Sequence, residues 1–167
     1  MKTIKIILLI FCTSVTLAQT NCVCCVKPHN QFDFWLGEWV VKDTAGNQVG
    51  ESKISKIEDQ CVLLEQWKGS QGGTGTSMNY FDKSDSTWNQ LWLDNKASVL
   101  KLKGNIFNGS MILKSEMVSR NNKEPFYNQI SWTLNNDGTV TQHWEICDKF
   151  GKPKKTLFKG LYYKKNN

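Results

Sequence analysis

The sequence predicts an all-β protein: a single closed antiparallel up-and-down barrel of about ten strands, with a short helical plug at its N-terminal end. Three observations predict it. Short segments rich in β-branched and aromatic residues recur along the chain, several of them alternating apolar and polar positions. The stretches between them are rich in Gly, Asn, Asp and Ser. Beyond the plug no segment keeps a helical period for more than two turns, so no crossover helix is available to join parallel strands. At 167 residues the chain can build one domain with a substantial core, and its 7 Trp and 8 Phe argue against disorder.

The chain opens with "MKTIKIILLIFCTSVTLAQ", which reads as a secretory signal. Lys2 and Lys5 form a positive start, Ile6 to Phe11 the centre of an apolar stretch too short to span a bilayer, and Thr16 and Ala18 the small residues before a cut. Residues 1–18 are therefore expected to be removed, leaving a secreted or periplasmic protein. Phe11 before Cys12 and Asn21 before Cys22 do not suit a lipid-attachment site. Losing Lys2 and Lys5 from 21 basic side chains leaves 19 against 15 acidic, a net charge of +4. The late lysines (Lys149, Lys152, Lys154, Lys155, Lys159, Lys164 and Lys165) flank a turn and a chain end, so they read as a solvated face rather than a nucleic-acid site.

Residues 19–30 form a Cys-rich lead. Cys22, Cys24, Cys25, Cys61 and Cys147 remain after cleavage, and in an oxidising compartment they are expected to form disulfides, with one thiol left over or paired to another molecule. "CVCCVKPH" lacks the two paired Cys-x-x-Cys units of a structural zinc site, so no metal is expected, and no cofactor motif is present. "HNQFDFWLGEW" follows, giving a brief helical or 3₁₀ plug with Phe32, Trp35 and Leu36 on one side, broken at Gly37. The barrel domain is placed at 31–165.

The expected strands are 38–42, 49–58, 61–68, 75–81, 87–93, 98–104, 110–119, 127–134, 139–147 and 156–164. "NNDG" and the "NG" of Asn108–Gly109 are strong hairpin signals among the turns between them. A meander this long must close or split into two sheets to lose its edges. Closure is the simpler solution, since a sandwich usually needs longer connections.

Alternation sets which face looks inward. In "TVTQHWEIC", Val140, Gln142, Trp144 and Ile146 oppose the more polar Thr141, His143, Glu145 and Cys147, so Gln142 and Trp144 point inward. Trp132 does so by the same test. Glu65-x-Trp67 and Gln90-x-Trp92 repeat the spacing of Gln142-x-Trp144 and are oriented by analogy, with Ser77 and Asn79 as further inward candidates. An interior of Glu65, Trp67, Asn79, Gln90, Trp92, Trp132, Gln142 and Trp144 is either a self-satisfied network or a ligand site, because buried polar groups need partners. A ten-stranded barrel is wider than side chains readily fill, which favours the ligand site.

The stretches "FDFWLGEW", "CVLLEQWKGSQGGTGTSMNYFD", "WNQLWLDN", "ISWTLNNDGTVTQHWE" and "LFKGLYYKK" resemble a family of secreted bacterial lipocalin-like (calycin-type) barrels of unknown function. The resemblance runs from about Phe32 to Lys165 and implies the fold, but no activity. It also implies a disulfide from Cys25 to Cys61, since similar chains carry one Cys before the FDFW motif and one in the "CVLLE" strand. Cys147 is then expected to bridge to Cys22 or Cys24.

Taken together, the sequence predicts a secreted barrel that binds a small, partly apolar, hydrogen-bonding molecule and is not membrane-embedded. The main alternative is a filled barrel acting through its surface or as a homodimer, with Leu91 and Leu93 as an outward apolar strip. A haem site is disfavoured because His143 falls on the outer face. Glu65 and Asp94 could form a carboxylate pair, but catalysis is disfavoured because no nucleophile–His–acid order, zinc-type His cluster or phosphate loop appears.

Overall fold

The computed structural model describes residues 22–119 and 124–165, so the expected signal segment lies outside the described residues. Ten strands follow one another in order: β1 (Gly37–Lys42), β2 (Gln48–Ile57), β3 (Val62–Gly69), β4 (Thr74–Asp82), β5 (Thr87–Asp94), β6 (Val99–Phe107), β7 (Ser110–Lys114), β8 (Phe126–Leu134), β9 (Val140–Asp148) and β10 (Pro153–Lys164). Each pairs antiparallel with its neighbours in the chain, and β1 pairs with β10 to close the barrel. The expected strands agree with these to within a few residues. The largest difference is β7, which ends at Lys114 rather than at 119. Beyond it Ser115 Oγ accepts the Asn128 amide, and Val118 makes a single bridge to Phe126.

Short aspartates set the turns. Asp43 Oδ1 accepts the backbone N–H groups of Ala45 and Asn47, Asp94 Oδ1 those of Lys96 and Ser98, and Asp148 Oδ1 those of Phe150 and Lys152. Each carboxylate replaces backbone partners that a tight turn leaves free, which is why Asp recurs at strand ends here. Those hydrogen bonds hold all three carboxyl groups below their ordinary range.

The N-terminal segment enters the barrel, but not as a helix. Among its described residues only one 3₁₀ turn forms, at Asp33–Trp35, because Gly37 follows with a φ of 129° and starts β1. The expected helical plug is thus a single turn. Its rings nevertheless fill one part of the interior. Phe32 stacks on Trp35 at 5.1 Å and meets Trp88 and Trp132 edge-on, at 5.7 and 5.2 Å. Leu63, Met111, Leu113 and Ile130 complete this core. Lys56 Nζ lies 2.8 Å from Asp33 Oδ1 and also donates to Asn30 Oδ1, which pins the turn to β2.

The disulfides differ from those implied by resemblance. Cys24 bonds to Cys61 and Cys22 to Cys25, so the Cys25–Cys61 pairing is incorrect. Adjacent residues of the lead face opposite ways: Cys24 is buried against the barrel while Cys25 is exposed. The Cys24–Cys61 bridge spans 37 residues and ties the lead to the start of β3. In the chain-entropy picture such a loop contributes on the order of 4 kcal/mol. Cys147 makes no bridge to the lead; among the described residues it is a buried thiol without a disulfide partner, on the outer side of β9 and paired across to Tyr127.

Among the described residues, no helix is long and apolar enough to cross a membrane.

Candidate functional site

Where the N-terminal rings stop, the interior opens into a cavity of about 240 Å³. Its wall includes Glu65, Trp67, Gln90, Trp92, Gln142 and Trp144, the members of all three pairs that the sequence spacing singles out. Leu100, Ile130, Leu157, Phe158 and Tyr162 complete it. Two expected residues lie elsewhere. Trp132 is fully buried among Phe32 and Trp35, in the filled part of the interior. Asn79 stands behind Gln90 and supports it rather than facing the cavity.

The polar residues form a chain across β2 to β5. Ser52 Oγ donates to Glu65 Oε1 at 3.0 Å and Ser77 Oγ to Glu65 Oε2 at 2.8 Å. Asn79 Nδ2 donates to Ser77 Oγ and to the Leu63 carbonyl, and Gln90 Nε2 donates to Asn79 Oδ1 at 2.8 Å. Strand register explains the contact: Glu65 lies directly opposite Ser77, and Asn79 opposite Gln90, on the inward face of adjacent strands. Burial pushes the Glu65 carboxyl up to about 7, against the opposing pull of its two serine hydrogen bonds. Among the described residues, no Lys, Arg or His pairs with it, and none lines the cavity.

On the opposite wall the Tyr162 hydroxyl donates to Gln142 Oε1. Burial, and then the nearby Glu65, keep that phenol well above its ordinary range, so it stays protonated. Trp144 Nε1 donates to Asn128 Oδ1 at 3.0 Å, which fixes its ring. This leaves Gln90 Oε1 and Gln142 Nε2 without a partner among the described residues, and neither atom is sealed from solvent. One acceptor and one donor therefore stand free on the wall.

The aromatic rings lie flat because glycines make room for them. A Cβ at Gly75 would sit 2.2 Å from Trp92 Cζ2, and one at Gly50 would sit 2.5 Å from Trp67 Cη2. At Gly160 it would meet the Phe158 ring at 2.6 Å. Any side chain there would drive a ring off its seat. Ser52 and these glycines, which support the wall, and Phe158 and Tyr162, which line it, are positions not singled out from the sequence. Ser52 was detectable, since Gly50, Ser52 and Ile54 alternate inward along β2. Leu157 and Phe158 were not, because register shifts in β10 break the alternation there.

Two further candidates stand apart from the cavity. His143 Nε2 lies 3.0 Å from Thr156 Oγ1 and 3.6 Å from Glu145 Oε1, away from the cavity wall. Asp94 is engaged by its own turn and does not pair with Glu65. Among the described residues, no group of three or more His, Cys, Asp or Glu is arranged to hold a metal ion.

No protein-family model matches this sequence, and no curated protein matches it.

Proposed function

We propose that this protein is a small-molecule-binding barrel of the lipocalin-like kind, working outside the cytoplasm after residues 1–18 are removed. The observation that carries the reading is the cavity wall: aromatic faces with a free acceptor on Gln90 and a free donor on Gln142. Binding sites for small molecules combine an apolar enclosure with a few fixed polar groups. The volume, below the roughly 300–1,000 Å³ of drug-sized sites, suits a small ligand. Two disulfides in the described chain support an oxidising compartment.

The test is native mass spectrometry of protein purified without refolding. A co-purified small molecule is expected, held by the wild type and lost from Trp92→Ala at unchanged circular dichroism. An adduct retained equally by Trp92→Ala would refute the cavity as its site.

A second reading, a barrel acting through its surface, draws on one feature. Met78, Leu93 and Val99 stand exposed on the outer side of β4, β5 and β6, with Leu91 half-buried beside Met78. A concentration-dependent dimer in sedimentation, abolished by Leu93→Lys, would favour it.

A further inference from the structure

Glu65 is 4 % exposed, lines the cavity, and has two serine hydroxyls as its hydrogen-bond donors. Serines solvate a carboxylate but do not neutralise it. A buried acidic group without a cation nearby is costly in its charged form, and proteins usually pair it. The rest of the wall is suited to a cation. Gln90 Oε1 offers a second acceptor, and the rings of Trp67, Trp92, Trp144 and Phe158 present electron-rich faces.

We propose that the ligand of this cavity is a small organic cation, an amine or quaternary ammonium, with its charged head against Glu65 and its body between the tryptophan rings. The proposal rests on the binding-barrel reading and deepens it by naming the ligand class. An anion would meet the Glu65 charge in a poorly solvated space with no basic residue to offset it. A neutral ligand would leave that carboxylate uncompensated. A cation supplies the missing partner.

The same geometry makes binding pH-dependent. Glu65 is packed against Ser52 and Ile54 of β2, Ser77 of β4 and, across the interior, Tyr162 of β10. Tyr162 is the one titratable group among these, and it stays protonated. Lys56, the inward lysine of β2, is held by Asp33 and Asn30. Glu65 therefore titrates alone, and a bound cation holds it ionised. Binding releases its proton below pH 7, so affinity rises as the pH is raised through 7.

The experiment is isothermal titration calorimetry with four probes: 2-phenylethylamine, benzyltrimethylammonium, 2-phenylethanol and 3-phenylpropanoate. Each is titrated at pH 6, 7 and 8, in two buffers of different ionisation enthalpy. At pH 8 both cations are expected to bind about ten-fold tighter than the alcohol, or better, and the propanoate not at all. The advantage narrows toward pH 6, where up to one proton is released on binding. In Glu65→Gln, checked for fold by near-ultraviolet circular dichroism, the amine and the alcohol bind alike. Should that variant not fold, the charge series on the wild type decides. Equal affinity of alcohol and amine, or undiminished amine affinity in Glu65→Gln, would overturn the inference and leave the binding barrel standing. No binding of any probe would overturn both.

Discussion

Replacing Glu65 by Gln should make the protein more stable at pH 8 and change little at pH 4. The carboxyl titrates at about 7 in the folded chain against an ordinary 4.5. The folded state therefore holds its proton over a range where the unfolded state has lost it. Stability falls as pH rises from 4.5, and the loss is complete above 7. With about 1.4 kcal/mol for each pKa unit, the gap corresponds to about 3 kcal/mol at pH 8. The introduced amide would keep the shape and accept one serine hydroxyl, as the protonated acid does, without acquiring a charge. For a domain of this size the difference is roughly 6–12 °C in Tm. Urea unfolding of both proteins from pH 4 to pH 8 measures it, and the difference between them cancels every other titrating group. A stability difference that stays constant over that range would refute the assignment of Glu65 as a buried acid without a countercharge.

Three further outcomes follow from the same structure. Gly75→Ala should displace the Trp92 ring, cost about 1–3 kcal/mol as overpacking and weaken any cavity ligand, while Gly73→Ala, which has open space, serves as the control in urea unfolding. Burial, then the charges of Lys83 and Lys56, hold His29 below its ordinary 6.5, and both its ring nitrogens are buried without a hydrogen-bond partner among the described residues. Its contribution to stability is present above 6.5 and lost as pH falls through its lowered folded value, so His29→Leu should gain on the wild type with acidification, read by unfolding at pH 5 and 8. Non-reducing peptide mapping of a chain starting at Gln19 should recover Cys22–Cys25 and Cys24–Cys61, with Cys147 alone reacting with a thiol reagent, and only after denaturation.

The strands were legible because one face of most of them is buried, which forces alternation. In β9 the apolar–polar contrast orients Gln142 and Trp144 without further help. The Glu-x-Trp and Gln-x-Trp spacing carried over to β3 and β5, and all six residues reach one cavity. The division of the interior was not legible. Trp88 and Trp132 look in sequence like Trp92, but Phe32 and Trp35 occupy the space beside them. A segment that reaches its partners through tertiary contact leaves no periodic mark on them. Choosing between Cys24 and Cys25 failed for a similar reason, since only the direction of the backbone decides which of two neighbours faces Cys61. The seats at Gly50 and Gly75 pair with distant rings and read as ordinary strand glycines.

A barrel whose interior is filled in one part and receives a ligand in the other should show that division in its tryptophans. Trp67, Trp92 and Trp144 line the cavity, while Trp35, Trp39, Trp88 and Trp132 lie in the core, which accounts for all 7. An ¹⁵N–¹H spectrum of the indole groups and of the Gln90 and Gln142 amides, recorded while 2-phenylethylamine or 2-phenylethanol is added, reads both sets at once. Saturable shifts of Trp67, Trp92, Gln90 and Gln142 are predicted, with Trp39, Trp88 and Trp132 unmoved. Shifts confined to surface groups, or spread evenly over all the indoles, would contradict the division.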